Sequence, residues 1–536
     1  MRFFNTAGPV NCEDHYCLPP LERFDLEEVI SLIDQKKYFV LHAPRQTGKT
    51  TCLLALMEYL NATGEYKCLY FNVEAAQGAR EDVQQGMKAI LSEMASRATY
   101  FLKDDLIESS WLSVFDKSGE FGALNRIFSL WAEANQLPVI LLIDEIDSLV
   151  GDTVISVLRQ IRAGYDKRPS GFPQSIILCG VRDVRDYRIH SAREKALITG
   201  GSAFNIKAES LRLGDFSEDE IEVLYKQHTE ETGQEFEPKA LELVWDLTEG
   251  QPWLVNALGY EACFKMKEGR DRTRQITQEM IEQAKENIIM RRETHIDQLA
   301  DKVQEERVRR VIEPILAGFK DPEQIPIDDV YYVRDLGLVR IDGQLQIANR
   351  IYQEVIPREL TYSTQITISE EPSWYIRPDG RLDMDKLLAS FQAFFREHSE
   401  HWVERFDYKE AGPQLLMQAF LQRIVNRGGR VEREYGLGRM RTDLLVIWPV
   451  GAHGAEGKAQ SARDVQKVVI ELKVLYKSLE RTVAEGLEQT VAYMDRCGTD
   501  EGYLVIFDRS KDKSWDEKIF RKIETFRGKT IEVWGM

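Results

Sequence analysis

Tyr38-Phe39-Val40-Leu41-His42 runs straight into Ala43-Pro44-Arg45-Gln46-Thr47-Gly48-Lys49-Thr50-Thr51, and the reading of the chain turns on this junction. The short apolar run, closed by a Pro-containing and Gly-containing loop, predicts a buried strand. Helical spacing follows over Thr51–Leu60. Strand, glycine-containing loop, Lys-Thr and helix together are a recipe for holding phosphates. Loop amides and the helix amino terminus point at the anion, Lys49 pairs with the outer phosphates, and the Thr50 hydroxyl can ligate Mg²⁺. Ala43 stands where the pattern's first glycine is expected, which a negative φ there would permit.

A second stretch completes this centre. Val139-Ile140-Leu141-Leu142-Ile143 predicts a buried strand ending in Asp144-Glu145. Asp144 would stand beside the Mg²⁺ shell, and Glu145 could polarise an attacking water as the catalytic carboxylate. Acidic residues also end strands without any chemistry, and that plainer reading stays open. Further strands are expected at Cys68–Val73, Ser175–Cys179 and, more weakly, Phe204–Ile206, with helices over Val83–Ala98 and Gly122–Ala134. The alternation predicts an α/β domain with a buried parallel sheet.

After Phe216 the strands stop. Helices run to about Ile289, opened by the capping-box sequence Ser217-Glu218-Asp219-Glu220. Two helical stretches then lead to a hairpin signal, Asp342-Gly343 between Gly337–Ile341 and Leu345–Ala348, the outline of a winged helix. These residues together resemble the STAND and archaeal-type branch of P-loop ATPases, relatives of AAA+ proteins, over about residues 16–360. The resemblance implies ATP and ADP as ligands, held by Ala43 to Thr51 and Asp144. Ser175-Ile176-Ile177-Leu178-Cys179-Gly180-Val181-Arg182-Asp183 is similar to the branch's sensor strand, with Arg182 as the sensor. Gly250-Gln251-Pro252 is similar to its GxP motif, which puts Pro252 against the nucleotide. A surface ion pair would account for Arg182 equally, and a helix stop for Gly250 and Pro252.

A second chemical centre lies near the carboxyl end. Thr442-Asp443-Leu444-Leu445-Val446-Ile447 and Val468-Val469-Ile470-Glu471-Leu472-Lys473 both predict strands. Side chains alternate along a strand, so Glu471 and Lys473 share a face while Leu472 points the other way. With Asp443 heading the neighbouring strand, the pattern resembles the PD-(D/E)xK nuclease superfamily over about residues 385–536, an α/β restriction-endonuclease-like fold. The resemblance implies DNA cleavage with Mg²⁺ or Mn²⁺. Asp443, Glu471 and the Leu472 carbonyl would be metal ligands, and Lys473 would orient the water or stabilise the phosphate. Gln489 and Tyr493, four apart on a helix, resemble the superfamily's QxxxY addition near the site or DNA. Many relatives carry a glutamate on the preceding helix. Here Gln414 and Gln418 stand in that stretch, and Glu434 on the preceding strand is the candidate substitute. Arg423, Arg427, Arg430, Arg433, Arg439 and Arg441 crowd the approach to Asp443, a basic rim suited to phosphates or simply a solvated face.

The expected divisions are an ATPase core at 1–215, a helical lid at 216–290, a winged helix at 291–360, a linker at 361–384 and a nuclease-like domain at 385–536. At 536 residues several domains are the natural prior, and the formal charge of −18 leaves nucleic-acid binding to local basic patches. Seven dispersed cysteines predict reduced buried thiols, and the absence of a long apolar run predicts a soluble cytoplasmic protein without membrane contact. The leading expectation is an ATP-controlled, metal-dependent DNA nuclease, with RNA open as substrate and assembly into a homo-oligomer compatible. The alternative is a nucleotide-switch scaffold whose nuclease-like domain binds nucleic acid without cutting. Prokaryotic defence or mobile-element biology is the context that the architecture resembles.

Overall fold

The apolar run before the phosphate loop forms strand β1 (Tyr38–His42), buried along its whole length. It lies inside a five-stranded sheet of order β2-β3-β4-β1-β7, where β2 is Lys67–Asn72, β3 Val139–Asp144, β4 Ser175–Gly180 and β7 Lys207–Arg212. Every pairing is parallel. Such a sheet must be covered on both faces, which is why its inner strands read as unbroken apolar runs. Alternation sorts the side chains. Val40, Leu69, Leu141 and Leu178 pack beneath α3 (Val83–Leu102), α4 (Leu106–Ser118), α5 (Ala123–Ala134) and α6 (Gly151–Ala163). Phe39, Leu41, Leu142 and Ile177 pack against α1 (Leu26–Asp34) and α2 (Lys49–Thr63). Each buried side chain of this size stabilises the fold by about 1.5–3 kcal/mol. The phosphate loop and Asp144 are thereby held at one edge, outside the carboxyl ends of the strands.

The computed structural model describes the chain except residues 183–187, 192–195, 200–203, 292, 317–324, 361–374, 406–416, 418–419, 422–429, 438–439, 451–464, 476–477, 509 and 511–512. It divides into two units, Met1–Asp297 with Pro326–Ile351, and Gln298–Ile325 with Tyr352–Met536. In the first unit a short antiparallel hairpin, β5 (Arg188–Ser191) with β6 (Ala196–Thr199), follows β4. The strand expected at Phe204–Ile206 begins later, at Lys207. It is a partly exposed edge strand whose polar residues break the apolar pattern.

The helical subdomain comprises α7 (Glu218–Thr232), α8 (Pro238–Thr248), α9 (Pro252–Tyr260) and α10 (Gln278–Arg291). Ser217 and Glu220 form both halves of the expected capping box. The first residues of the chain are fastened to this subdomain. The Phe4 ring lies 4.9 Å from Tyr16 and 4.8 Å from Tyr225, and the Tyr16 hydroxyl bonds His228 Nδ1 at 3.0 Å. A turn at Asn11 brings Cys12 and Cys17 together as a disulfide with Cα atoms 5.2 Å apart. This corrects the expectation of seven reduced thiols. The other five are free and buried.

Farther along come α11 (Thr294–Val303), α12 (Glu306–Leu316), α13 (Ile327–Asp335), the hairpin β8 (Val339–Asp342) and β9 (Gln344–Ile347), and α14 (Arg350–Leu360). The hairpin pairs Asp342 with Gln344 around Gly343, whose φ of +65° supplies the single left-handed residue of the turn.

The second unit holds a six-stranded mixed sheet of order β10-β11-β12-β13-β15-β14. Its strands are β10 (Arg430–Leu437), β11 (Met440–Pro449), β12 (Val465–Leu475), β13 (Glu501–Asp508), β14 (Phe520–Phe526) and β15 (Lys529–Gly535). β10, β11 and β12 are successive antiparallel neighbours, while β12, β13 and β15 run parallel. Helix α16 (Leu479–Cys497) makes the crossover and packs Val483, Leu487 and Val491 against Val469, Leu504 and Ile506. On the opposite face Phe391 and Phe395 of α15 (Met384–Arg405) meet Phe507. Phe391 and Phe395 thus serve helix packing. Gln414 and Gln418 lie outside the described residues. Among the described residues no helix is long and apolar enough to cross a membrane.

Candidate functional site

In the phosphate loop Gln46 and Gly48 take left-handed φ values of +58° and +90°, and Gly48 caps α2. Ala43 is buried, its φ is not positive, and its amide donates to the Gly180 carbonyl at 3.2 Å. The missing first glycine therefore costs the loop nothing. Lys49 is buried, and its Nζ donates to the carbonyls of Ala43 at 2.9 Å and Pro44 at 2.8 Å. Those two bonds hold the ammonium inside the loop, where a phosphate could exchange for a carbonyl. The Thr47 hydroxyl closes the loop onto Pro44 O at 2.8 Å.

Asp144 is fully buried at the end of β3. Its Oδ2 accepts from the Thr50 hydroxyl at 2.7 Å and from Tyr70 at 3.0 Å, and its Oδ1 accepts the Glu145 amide at 2.9 Å. A hydroxyl and a carboxylate in direct contact are hard oxygen donors, the set that suits Mg²⁺. Glu145 sits in the left-handed region, φ +57°. Burial, followed by the charges of Asp144 and Asp147, pushes its carboxyl up to about 7, with Lys49 and Arg45 opposing. Arg45 lies on the same loop. Arg182, just past β4, places its guanidinium 5.1 Å from the centre of the Tyr332 ring of α13.

A cleft opens from Gln46, Thr47, Gly48 and Thr51. Pro252, the first residue of α9 after Gln251 as cap, lines it as well. Its other walls carried no site signal in the sequence; they include residues of the segment from Asn5 to Val10, Arg23, and Trp253 and Asn256 of α9. The Val10 amide donates to the Thr51 hydroxyl at 2.9 Å, and Trp253 Nε1 donates to the Thr6 carbonyl at 2.9 Å. Gly250 has a φ of +78°, and a Cβ there would overlap the Phe216 carbonyl. His295, which no sequence pattern marked, stacks on Trp253 at 4.8 Å and bonds Gln46 at 2.6 Å. Burial holds its imidazole down at about 4, so it is neutral at pH 7. Gly337 abuts the loop too, since a Cβ on it would lie 2.7 Å from Pro44.

In the second unit, Glu471 is buried on β12 and its carboxylate meets the Lys473 ammonium, while Leu472 is buried on the opposite face. Glu471 and Lys473 share the sheet face with Val469, the face covered by α16. Tyr493 is buried in that interface, and Gln489 Oε1 is buried with no hydrogen-bond partner among the described residues. Asp443, Arg441 and Glu434 lie on β11 and β10, where the backbone alone is described, and Arg439 lies outside the described residues.

Residues 33–187 match the family model described as an AAA domain. With the parallel sheet and the loop geometry, this makes the core of the first unit a P-loop ATPase domain of the AAA type. Among solved structures, the chain is similar to the Walker-type ATPase PABY2304 of Pyrococcus abyssi, with 15% identity and a TM-score of 0.45, covering 66% of this chain and 99% of that one. It is also similar to Cdc6p from Pyrobaculum aerophilum, with 14% identity and a TM-score of 0.35, covering 65% and 95%. The Thermotoga maritima RuvB Holliday junction branch migration motor matches with 15% identity and a TM-score of 0.32, covering 62% and 95%. No curated protein matches the chain.

Proposed function

We propose that this chain is an ATP-controlled, metal-dependent DNA nuclease, in which the first unit binds and hydrolyses ATP and the second cuts. The observation that carries the nuclease half is the strand register. Arg433 pairs with Leu444 and Tyr435 with Thr442, which sets Glu434 level with Asp443. Leu444 pairs with Ile470, so Asp443 and Glu471 each stand one residue beyond that pair, again level. Cross-strand partners share a face. Three carboxylates on adjacent strands, with Lys473 two residues on, would suit a hard divalent cation. Glu434 then answers for the glutamate that the preceding helix lacks.

In this reading Glu434, Asp443 and Glu471 would hold Mg²⁺ or Mn²⁺, with the Leu472 carbonyl as a further ligand. The metal would supply an activated water and neutralise charge at the phosphate. Lys473 has the chemistry to orient that water or to steady the phosphate oxygens. Gln489, with a buried acceptor that has no partner among the described residues, supports a role beside the site or the DNA. The arginines near Asp443 would form the phosphate-binding rim.

In the first unit, Lys49 would leave the loop carbonyls for the outer phosphates, and Thr50 with Asp144 would hold Mg²⁺. Glu145, with its carboxyl raised to about 7, would take a proton from water at the end of β3. Pro252 and Trp253 on α9 would follow nucleotide occupancy, and the helical lid at 216–290 would transmit it. The segment 291–360 would act as a winged helix, and Arg182 as the γ-phosphate or conformational sensor at the end of β4.

The test is cleavage of supercoiled, linear and single-stranded DNA, and of RNA, with Mg²⁺ or Mn²⁺, with and without ATP, beside Asp443→Ala. Metal-dependent cutting absent from the variant is expected, together with an ATP response. Binding without cutting under every condition would favour a nucleotide-switch scaffold instead.

A further inference from the structure

The amino-terminal wall of the cleft is fastened by a covalent bond that no motif accounts for. Cys12 and Cys17 are joined across a separation of five residues, and Cys17 lines the cleft together with Tyr16 and Leu18. The two ends of the bond are held differently. At Cys17 the amide donates to Gln227 Oε1 at 3.1 Å and the carbonyl accepts from Gln227 Nε2 at 2.9 Å, which fixes the residue to α7. Cys12 stands two residues after Val10, whose amide donates to the Thr51 hydroxyl on α2, beside the phosphate loop. The disulfide therefore ties the strip that touches α2 to the helical subdomain.

A cross-link over so short a loop removes little entropy from the unfolded chain, so its share in global stability is at the low end for disulfides. What it restrains is local. Within the loop the His15 amide donates to the Asn11 carbonyl at 2.8 Å, and the Asn11 amide donates to His15 Nδ1 at 2.9 Å. Cys12 is exposed and Cys17 half-buried, whereas the five free cysteines are buried. Exchange with an external thiolate needs access to a sulfur, and this pair offers it.

We propose that Cys12–Cys17 is a reversible redox clamp on the nucleotide cleft, opened by a dithiol. One thiolate of the dithiol attacks a sulfur of the pair and displaces the other as a thiolate. The second thiol of the reagent then resolves the mixed disulfide. The protein gains two electrons and two protons, and the dithiol becomes a disulfide. The reverse exchange, with an external disulfide as oxidant, restores the bond. In the oxidised form the wall from Asn5 to Val10 is preorganised against Thr51 and Trp253, which favours binding. Reduction frees Cys12 from α7, and affinity falls. The proposal rests on the reading of this cleft as the ATP site.

The experiment is titration calorimetry of the full chain with ADP, after oxidised glutathione and after dithiothreitol, for the wild type and Cys12→Ser. Peptide mass spectrometry without reductant reads the state of the pair in each sample. Reduction should weaken ADP binding by about 10-fold. Binding and oxidation are linked, so saturating ADP should stabilise the disulfide by the same factor. For a two-electron couple that is about 30 mV in a redox titration of the wild type. Cys12→Ser should bind ADP as the reduced wild type does under both conditions. The redox titration uses the wild type alone and does not depend on the variant folding. A pair that stays reduced in oxidised glutathione, equal ADP affinity in the two states, an unshifted potential, or a redox response in Cys12→Ser would overturn this inference alone. Wild type that binds ADP in neither state would overturn the ATP reading itself, and this one with it.

Discussion

The two candidate sites are held by different kinds of order. The nucleotide site is built from a loop, a helix terminus and a strand end, and its parts answer one another at hydrogen-bond distance. Lys49 lies on loop carbonyls, Thr50 on Asp144, Gln46 on His295. The strand-face site is set by register between β10, β11 and β12, whose residues approach only after separate segments have paired. Local backbone chemistry fixes the first, and long-range pairing fixes the second. A loop site tolerates change in the sheet beneath it, whereas a one-residue slip in β11 would turn Asp443 to the other face.

The largest expected effect tests whether the two sites are separate. Asp443→Ala should lower DNA cleavage by on the order of 10³-fold or more while ATP turnover is unchanged. Joint loss of both activities in a folded protein would break the comparison. Lys49→Ala should reduce ATP turnover by roughly 10²-fold or more, measured by phosphate release, because the outer phosphates lose their ammonium. Metal-dependent cutting without ATP should survive it.

Glu145→Gln should cost about 10²-fold in turnover with ATP binding retained. Its pH dependence sharpens the assignment. The Glu145 carboxyl is raised from 4.5 to about 7 on folding, so the folded state keeps a proton that the unfolded chain gives up. Its contribution to stability is whole below 4.5 and is lost as pH rises through 7. Glu145→Gln should therefore gain in melting temperature over the wild type between about pH 5 and pH 8, whereas a gap independent of pH would place the carboxyl elsewhere. Turnover by the wild type should rise through about pH 7. The smallest effect expected is on stability alone. Gly250→Ala, forced into a left-handed backbone against Phe216, should cost about 1–3 kcal/mol by denaturant unfolding, with any cleavage by the second unit unchanged.

This difference also decides what could be read in the sequence. Strand, loop and helix termini leave contiguous signatures, so β1, β3 and the loop between Ala43 and Thr51 were legible residue by residue. So was the shared face of Glu471 and Lys473, because alternation is a local rule. The far walls of the cleft were not. Asn5 to Val10, Arg23, Trp253 and Asn256 arrive from distant parts of the chain, and each alone looks like a surface or core residue. The level placement of Glu434, Asp443 and Glu471 likewise needs the register, which no single strand encodes. Cys12 and Cys17 escaped notice because their approach depends on the turn at Asn11. β7 began later than expected since an edge strand with one wet side carries too few apolar residues to announce itself.

The strand order has a consequence for how the chain is made. β1 pairs with β4 and β7, both of which lie far downstream. During synthesis the apolar run Tyr38–His42 leaves the ribosome with neither of these partners until Ser175–Gly180 follows, roughly 130 residues later. At about 5–20 residues per second this is on the order of ten seconds of exposure. β2 and β3 can join each other within that time, but the strand that carries the phosphate loop must wait. The nascent chain should therefore be a client of ribosome-associated chaperones through that interval, and slowing translation after Gly180 should matter far less than slowing it before.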